Sequence, residues 1–449
     1  MNAMNRLRPA LAVIFDAHGR WGRAALGLFA LASLWLTAPA NLGLGLALLA
    51  AGVALHAGWR RGARPDAVGC ATLVLVVWLT LRYALQRAGF GEPGLQRAQA
   101  GYIDWLAPLA FAALAALVPT GQGRRWLARL WGLALAGCTL GVLGFLIARG
   151  PAVLWSGERL GFHLNRPLGI GLYAGVFLVL LVANARRAWS VAGPWRWPLR
   201  IGGLGLIALH AQVLVSAQNR TTWLALLLVM AGAAVVALWR RRKGGAPSWR
   251  RTLLVATAAG LVLAVLGFAN RAAFEQRYVV ERDVVATLGS EGLDAAPVSS
   301  ITARLRLWRF VLESWPQAPW IGHGFGGMQD VVDARARQHY ALPTGERFDH
   351  AHDSYLQTLW TQGVIGVALW TALIVLLLRD VLRAARVDAG VRAQLPAVWA
   401  ALGFVAVWAC FDYRLSHPDM RCFSILLLLS LRLLGQAGTE GSAAPSSSA

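Results

Sequence analysis

Long apolar runs alternate with short polar connections along most of the chain. Each run has roughly 18 to 22 residues, and a helix of that length crosses about 30 Å of hydrocarbon. Within lipid, a helix also satisfies its own backbone polar groups. The pattern therefore predicts an all-α polytopic membrane protein with about twelve transmembrane helices. The predicted spans begin near Gly22, Asn41, Ala67, Ile103, Trp126, Arg166, Pro198, Thr221, Thr252, Leu356, Leu395 and Arg421.

Arginine clusters follow every second predicted span and set the expected orientation. The clusters lie at residues 60–64, 124–125, 186–200, 240–251 and 379–392. Positively charged loops stay on the cytoplasmic side, so we expect both termini to be cytoplasmic. The formal net charge is +22, but the arginines are not grouped on one soluble face. This distribution excludes a nucleic-acid-binding protein and makes membrane lipids the expected partners.

The N-terminal segment shows no cleavable signal peptide. Arg6 and Arg8 precede a mixed sequence instead of a short apolar core, so we expect the first span to act as its own signal. The four cysteines have no spacing typical of a metal site or redox motif, and we interpret them as packing residues. They are Cys70, Cys138, Cys410 and Cys422. The tail, residues 438–449, is predicted to be disordered because it is rich in Gly, Ser, Ala and Pro.

One long polar interruption, residues 271–355, separates the apolar runs. It holds eleven of the 21 acidic residues but only nine of the 43 basic residues. The orientation of the neighbouring spans places it outside, as one large, mostly helical periplasmic loop. The chain then divides into spans one to nine (1–270), this loop (271–355), spans ten to twelve (356–437) and the tail (438–449).

Helical spacing of apolar residues predicts a helix from Ser299 to Trp315 inside this loop. A glycine-rich turn at 322–327 follows, and a second helix-like stretch runs from Met328 to Tyr340. The turn's spacing matches neither a P-loop nor a dinucleotide-binding motif, so a tight turn is preferred over a phosphate cradle. The histidine-bearing segment then leads into the tenth span, which places His352 near the outer mouth of that helix.

Arg220 lies with Gln218 on a short polar hairpin between the seventh and eighth spans. One interpretation is that its side chain reaches the lipid headgroups without a specific role. The other is that Arg220 provides a fixed positive charge for an anionic, lipid-linked group, because a planar guanidinium donates paired hydrogen bonds to phosphate oxygens. Arg304 and Arg306 lie on the predicted loop helix, where an arginine on a solvated face usually has no specific role. Arg304, which shares a helix face with Trp308, is the better candidate for a functional role.

His350, His352 and Asp353 are the candidates for proton chemistry. Neutral imidazole accepts a proton near pH 7, whereas an unperturbed aspartate is a weaker base. Alternating histidines can ligate zinc in an extended chain, but no third spaced ligand is evident, and we predict no metal site. His417, in the last external connection, can join this site.

Four segments, taken in order, resemble the O-antigen ligase family. They are the polar hairpin ending at Arg220, Arg304-Leu305-Arg306-Leu307-Trp308, Pro319-Trp320-Ile321-Gly322-His323-Gly324-Phe325-Gly326, and His350-Ala351-His352-Asp353-Ser354-Tyr355-Leu356-Gln357. The same loop signature occurs in O-antigen polymerases and bacterial protein O-oligosaccharyltransferases. The similarity covers about residues 216–366, and Asp353 stands where the family commonly has Asn.

The resemblance implies a membrane-embedded, GT-C-type glycosyltransferase that needs no cofactor or metal and acts on the periplasmic side of the bacterial inner membrane. Its donor would be O-antigen polysaccharide on undecaprenyl diphosphate, and its acceptor a sugar hydroxyl of lipid A-core. By position, Arg220 and Arg304 would bind the diphosphate and His352 would be the general base. The expected supporting residues are His350, Asp353, Arg306, Gln218, Trp308 and His417.

The residue types fit that reaction independently. A sugar hydroxyl needs a positioned base to remove its proton, and a leaving diphosphate needs fixed positive charge. The chain has no Asp-x-Asp pair that could bridge a diphosphate through a metal. Displacement from the face opposite the leaving group predicts inversion at the anomeric carbon.

Three alternatives remain open from the sequence. A polymerase would pass the polysaccharide to another lipid-linked repeat, and a protein O-oligosaccharyltransferase differs only in its acceptor. A twelve-helix transporter belongs to another class and places charged sites near the membrane midplane, where only Arg82 and His56 are candidates. The single long loop, late in the chain, favours the ligase.

Overall fold

The computed structural model describes residues 19–90, 95–164, 167–242, 267–268, 270–336, 339–340, 342, 348–413, 415, 417 and 420–437. Every regular element within these residues is helical. The helices are α1 (19–32), α2 (Thr37–Arg60), α3 (Ala67–Arg87), α4 (Leu95–Leu106), α5 (Ala110–Leu114), α6 (Gly123–Arg149), α7 (Pro167–Ser190), α8 (Arg196–Ser216), α9 (Arg220–Arg242), α10 (Arg271–Ser290), α11 (Ser300–Ser314), α12 (Met328–Val331), α13 (Ser354–Val387), α14 (Ala389–Arg392), α15 (Leu395–Ala409) and α16 (Arg421–Gln436).

Seven of the described helical segments are long and apolar enough to cross a membrane. They are Thr37–Arg60, Ala67–Arg87, Arg97–Leu117, Gly123–Arg149, Pro167–Ala185, Arg196–Ser216 and Ser354–Val387. Two shorter apolar helices, Arg220–Val236 and Leu395–Ala409, coincide with further predicted spans. The predicted ninth span near Thr252 and the predicted disordered tail lie outside the described residues. The helical, polytopic architecture is therefore as predicted, while the total of twelve spans and their orientation stay predictions.

The membrane helices pack through small residues and aromatic rings. α7 lies against α8 and α15, and α13 lies against α3 and α16. The ring of Phe404 on α15 fills the space beside Gly175 on α7, where any larger side chain would overlap it. The ring centroid of Trp131 lies 6.0 Å from that of Phe177 and 6.1 Å from that of Phe423. Small residues allow the close helix approach that drives association in lipid, where van der Waals packing replaces the hydrophobic effect.

Helix α11 begins at a capping box, the local signal that fixes its start. The side chain of Ser299 accepts hydrogen bonds from the N–H groups of Ile301 and Thr302, both at 3.2 Å. In return, the N–H of Ser299 donates to Oγ1 of Thr302 at 2.8 Å. The predicted loop helix is thus confirmed to within one residue at each end.

A second hydrophobic core lies beneath α11 and includes one residue of a membrane helix. Its members are Ala303, Leu307, Phe310, Val311, Met328, Val331, Val332, Leu342, Phe348, Ala351 and Trp360. Because Trp360 belongs to α13, the loop is anchored on the helix that corresponds to the tenth predicted span. Of the second predicted loop helix, Met328 to Tyr340, the described part consists of α12, a π-helical turn at Val332–Ala336 and a turn at residues 339–340.

The glycine-rich turn inserts into a break in α13. Gly363 has φ 65° and ψ −169°, a conformation that is essentially restricted to glycine. At this break, backbone groups of α13 pair with the turn and with the residues just before it instead of with their own helix. The bonds are Val364 N–H to Pro319 O (2.9 Å), Ile365 N–H to Trp320 O (3.3 Å), His323 N–H to Trp360 O (2.7 Å) and Gly324 N–H to Thr361 O (3.1 Å). The turn therefore satisfies backbone groups that a break within a membrane helix would otherwise leave buried and unpaired.

Two polar side chains of α3 hold the same turn from the other side. Arg82 is fully buried and donates from Nε to the carbonyl of Ile321 (2.7 Å) and from Nη2 to that of Gly322 (2.9 Å). Gln86 donates to the carbonyl of Phe325 (2.9 Å) and accepts from its N–H (2.8 Å). Arg82 therefore contributes to the packing of the loop on the bundle, which is a structural role and not that of a transport site.

Candidate functional site

One face of α11 joins the hairpin at Arg220 to the histidine segment. Ser300, Arg304 and Trp308 are spaced four residues apart, so their side chains stand one above another on the helix. Ser300 and Trp308 are about 12 Å apart along the helix axis, and Arg304 lies between them, partly exposed. We refer to these three residues as the site face of α11.

Arg220 contacts the first residue of the site face. Its Nη2 donates a hydrogen bond to Oγ of Ser300 at 2.9 Å. Arg220 is the first residue of α9 and is partly exposed. Because Ser300 is one helical turn from Arg304, the two arginines predicted for the diphosphate lie near the same end of α11.

Buried polar contacts hold the hairpin that carries Arg220. Gln218 has a left-handed φ of 47°, and its Nε2 donates to the carbonyl of Gly157 at 2.6 Å. Oγ of Ser216 donates to the carbonyl of Leu154 at 3.1 Å. Gln218, expected as a supporting residue, thus fixes the backbone beside Arg220 through a contact with another segment of the chain.

The histidine segment is fastened to the opposite end of the site face. Nε1 of Trp308 donates to the carbonyl of Ala351 at 3.0 Å, and the N–H of Ala351 donates to Oε1 of Gln357 at 2.7 Å. Both backbone polar groups of Ala351 are therefore held in place. Since Ala351 lies between His350 and His352, these bonds fix the backbone that positions both imidazoles.

His350 and His352 lie side by side, with ring centroids 4.2 Å apart. His350 is buried, whereas His352 is partly exposed. His352 has φ 52°, a left-handed conformation that is uncommon outside glycine and that clusters at functional sites. The segment is not helical here, and so residues two apart in sequence present neighbouring rings.

Asp349, which the sequence reasoning missed, sets the tautomer of His350. Its Oδ1 lies 2.7 Å from Nδ1 of His350, and this hydrogen bond lowers the pKa of Asp349 to about 2 although burial opposes the shift. A carboxylate only accepts, so Nδ1 of His350 carries the proton and Nε2 of the neutral ring keeps the lone pair. That Nε2 is buried and has no hydrogen-bond partner among the described residues. Asp349 could have been identified from the sequence, because an acidic residue directly precedes the two histidines.

Asp353 begins α13 as its N-cap. Its carboxylate accepts a hydrogen bond from the N–H of Leu356 at 2.7 Å. Burial raises the pKa of Asp353 above its ordinary value, and hydrogen bonds from the backbone oppose that rise. Asp and Asn cap helices about equally well, so the departure from the family's usual Asn preserves this contact.

Tyr413 links the histidine pair to the last external connection. Its ring centroid lies 4.5 Å from that of His350 and 6.0 Å from that of His417. His417 is therefore separated from His350 by one aromatic ring, close enough for the supporting position expected of it. Tyr413 itself was missed, because a single tyrosine in a connection has no informative spacing.

Arg306 does not belong to the site face. It is buried, and its Nη2 donates to the carbonyls of Leu293 (3.1 Å) and Ala296 (2.9 Å). Two residues from Arg304 on a helix, it projects from a different side. These contacts give Arg306 a part in holding the segment before α11. Within the described residues, no cluster of three or more His, Cys, Asp or Glu side chains is arranged to hold a metal ion.

Comparison with known proteins agrees with the resemblance drawn from the motifs. A family model described as O-antigen ligase matches residues 205–371, a range that contains Arg220, the site face and the histidine pair. An O-antigen ligase of Pseudomonas aeruginosa (strain PAO1) is 24% identical over 238 residues, which is 51% of this chain and 48% of that relative. The chain thus spans about half the length of the curated relative it matches. The similarity to the O-antigen ligase family is confirmed.

Proposed function

From this family similarity we propose that the protein is an O-antigen ligase of the bacterial inner membrane. It transfers polysaccharide from undecaprenyl diphosphate to a sugar hydroxyl of lipid A-core, on the periplasmic side. Both termini are cytoplasmic in this proposal, as the arginine clusters predict. The reaction is a glycosyl transfer that uses no metal and no cofactor.

The observation that carries the proposal is the arrangement along the site face. Arg220 bonds to Ser300 at one end (2.9 Å), and Trp308 bonds to Ala351 at the other (3.0 Å). Arg220 and Ala351, which are more than a hundred positions apart in sequence, are thereby both hydrogen-bonded to α11. In this arrangement Arg220 and Arg304 lie near the Ser300 end of the site face, and the segment that carries His350 and His352 is fastened at Trp308.

In this mechanism Arg220 and Arg304 bind the diphosphate of the donor. Guanidinium remains charged at every physiological pH and donates paired hydrogen bonds to phosphate oxygens. As the bond between the anomeric carbon and the diphosphate oxygen breaks, negative charge grows on the leaving group. Two fixed positive charges stabilise that charge without a protonated acid, because diphosphate leaves readily.

His352 is the general base in this mechanism. It removes the proton of the acceptor hydroxyl as the hydroxyl oxygen attacks the anomeric carbon. Being partly exposed, His352 is accessible to a substrate, whereas His350 is buried beside it. Asp349 keeps His350 in one tautomer, and the ring of His350 packs beside that of His352 at an interplanar angle of 52°. Attack opposite the departing diphosphate inverts the anomeric carbon.

The proposal is tested with purified protein, undecaprenyl diphosphate-linked polysaccharide and lipid A-core. We expect a ladder of lipid A-core carrying polysaccharide on a gel, with unchanged yield after treatment with a chelator. The His352→Ala variant is the negative control. Nuclear magnetic resonance of the new linkage should show the anomeric configuration opposite to that of the donor.

Other products would contradict the proposal in defined ways. Longer polysaccharide on undecaprenyl diphosphate, with lipid A-core unmodified, would identify a polymerase. Transfer to a protein acceptor alone would identify a protein O-oligosaccharyltransferase. Activity that depends strictly on an added divalent ion would overturn the role given to the two arginines.

A further inference from the structure

A cavity of about 360 Å³ lies among α6, α7, α8, α15 and α16. Its wall is apolar along most of its surface, with side chains such as Leu135, Leu181 and Leu431. A few polar side chains, among them Arg200 and Gln394, interrupt the wall. An elongated apolar ligand with a polar head is the class of molecule that such a lining fits.

The cavity lies at the end of the bundle opposite the candidate site. Arg200 is near the start of α8, whereas Ser216 at the end of α8 leads into the hairpin of Arg220. Arg200 and Ser216 are sixteen positions apart, which is about 24 Å along the helix axis. The cavity is therefore separate from the proposed diphosphate site, and the proposed reaction does not use it.

Arg200 is fixed at the polar part of this cavity. Its Nη2 donates to the carbonyl of Trp189 at 2.6 Å, and its Cζ lies 5.7 Å from the ring centroid of Trp189 and 5.3 Å from that of Trp197. Its Nε is buried and has no hydrogen-bond partner among the described residues. A buried donor on a charged group without a partner costs free energy, which an anionic ligand would recover.

Gln394 supplies a complementary acceptor in the same cavity. Its Oε1 is also buried without a hydrogen-bond partner in the part of the chain that the structure describes. Three features of the cavity match three parts of an anionic phospholipid. The features are the Nε–H of Arg200 and the amide oxygen of Gln394, both unpaired within the described part of the chain, and the apolar wall. These parts are the phosphate, a headgroup hydroxyl and an acyl chain.

We propose that this cavity binds one anionic phospholipid, with an acyl chain among α6, α7, α8, α15 and α16 and its phosphate on Arg200. Basic pockets between membrane helices on the cytoplasmic side are known to bind anionic headgroups. The predicted orientation puts the cavity on that side, because the arginine clusters lie at the same helix ends. Trp189 and Trp197 are residue types that favour the interface between lipid and water.

Two adjacent glycines offer a matched pair of variants for the test. Gly203 lines the cavity, and a side chain added there meets no atom within 4 Å. Gly202 also has open space around it but faces outward and does not line the cavity. Because a Cβ at Gly203 meets no atom, Gly203→Leu should place its side chain in the cavity and occupy part of it. Gly202→Leu adds the same side chain to the same helix outside the cavity.

The measurement is lipid binding by native mass spectrometry of the full chain in detergent, with phosphatidylglycerol and phosphatidylcholine of identical acyl chains as probes. We expect the wild type and Gly202→Leu to bind one phosphatidylglycerol in preference to phosphatidylcholine. Gly203→Leu should lose that bound lipid. Arg200→Gln should weaken phosphatidylglycerol binding about tenfold and abolish the preference, because a charge-assisted hydrogen bond is lost.

Either of two outcomes would overturn the proposal. One is equal lipid binding by Gly203→Leu and Gly202→Leu, which would exclude the cavity. The other is an unchanged preference for phosphatidylglycerol in Arg200→Gln, which would exclude Arg200 as the phosphate ligand. Thermal unfolding of each variant checks folding, and if Gly203→Leu does not fold, the comparison of the two lipids on Arg200→Gln decides.

Discussion

The polar segment meets the membrane helices in two places that use polar groups differently. In the glycine-rich turn, polar groups pair with one another inside the protein, as in the four backbone bonds to the break in α13 and the bonds from Arg82. At the site face of α11, Arg304 and Trp308 remain partly exposed, as do Arg220 and His352. The first contact holds the loop in place, and the second leaves charged and titratable groups accessible.

This difference separates two kinds of arginine and two kinds of histidine. Arg82 and His323 are buried against backbone carbonyls, with His323 Nε2 donating to Ser314 O at 3.0 Å. Arg220 and His352 are partly exposed within the region that matches the O-antigen ligase model. Substitutions at the turn should therefore change the free energy of unfolding, whereas substitutions at the site face should change the rate of transfer.

The largest expected effect is at His352. His352→Ala should lower the transfer rate by about 10²- to 10⁴-fold, because the acceptor hydroxyl loses its base. The matched control is His323→Ala, which removes the bond to Ser314 and the stacking on Trp360. That variant should unfold at a lower temperature but keep its rate per folded molecule. Rates come from the gel assay, and folding from thermal unfolding in detergent.

The opposite pattern would contradict the division between turn and site face. Normal transfer by His352→Ala would remove His352 as the base. If His350→Ala were then inactive while remaining folded, the base would be His350, whose Nε2 carries the lone pair in the tautomer that Asp349 imposes.

The next effect concerns the arginines. Arg220→Lys and Arg304→Lys should each lower transfer by about 10- to 100-fold, because an ammonium keeps the charge but loses the planar fork and about one charge-assisted hydrogen bond. Arg309→Lys on the same helix is the control, since Arg309 is exposed and pairs with Glu313 at 2.8 Å. Full activity in both test variants would show that charge alone suffices, and a comparable loss in Arg309→Lys would point to damage of α11 as a whole.

A smaller effect is expected at the break in α13. Gly363→Ala should destabilise the protein by about 1–3 kcal/mol, because alanine strongly disfavours φ 65° with ψ −169°. A side chain there would also overlap the backbone of Trp320. Gly232→Ala in α9 is the control, since it lies in open space on a regular helix and should be neutral or slightly stabilising. Equal unfolding temperatures for the two variants would mean that the turn does not depend on this break.

The sequence predicted those features of the fold that depend on local signals. α11 followed from the apolar spacing after Ser299, and the membrane helices followed from hydropathy. α10 was missed, because the apolar spacing within the polar segment was used to predict a helix only from Ser299 onward. The candidate residues Arg220, Arg304 and His352 came from motif resemblance, and they proved to lie along or beside one helix.

Contacts between distant segments could not be predicted in the same way. The break at Gly363 exists because the glycine-rich turn occupies it, and glycine within a membrane helix is too common to signal a break. Arg82 and Gly322 are separated by 240 residues, and a single sequence has no pattern that pairs them. The hydrogen bond between Asp349 and His350 likewise depends on a non-helical backbone that hydropathy does not report.

The smallest effect is expected at Asp353, which tests whether this residue is a helix cap or part of the proton chemistry. Asp353→Asn retains the cap, so transfer should stay within about twofold and the free energy of unfolding within about 0.5 kcal/mol at neutral pH. Burial raises the pKa of Asp353 in the folded protein above its unfolded pKa of 3.8. The protonated carboxyl therefore stabilises the folded state below pH 3.8, and this stabilisation is lost as pH rises through the pKa of the folded protein. The variant should lack this dependence, so its unfolding temperature should vary less than that of the wild type as pH rises from 3.8. Asp353→Ala should cost about 1 kcal/mol through loss of the cap. A large loss of transfer in Asp353→Asn with unchanged stability would instead make the carboxylate a participant in the reaction.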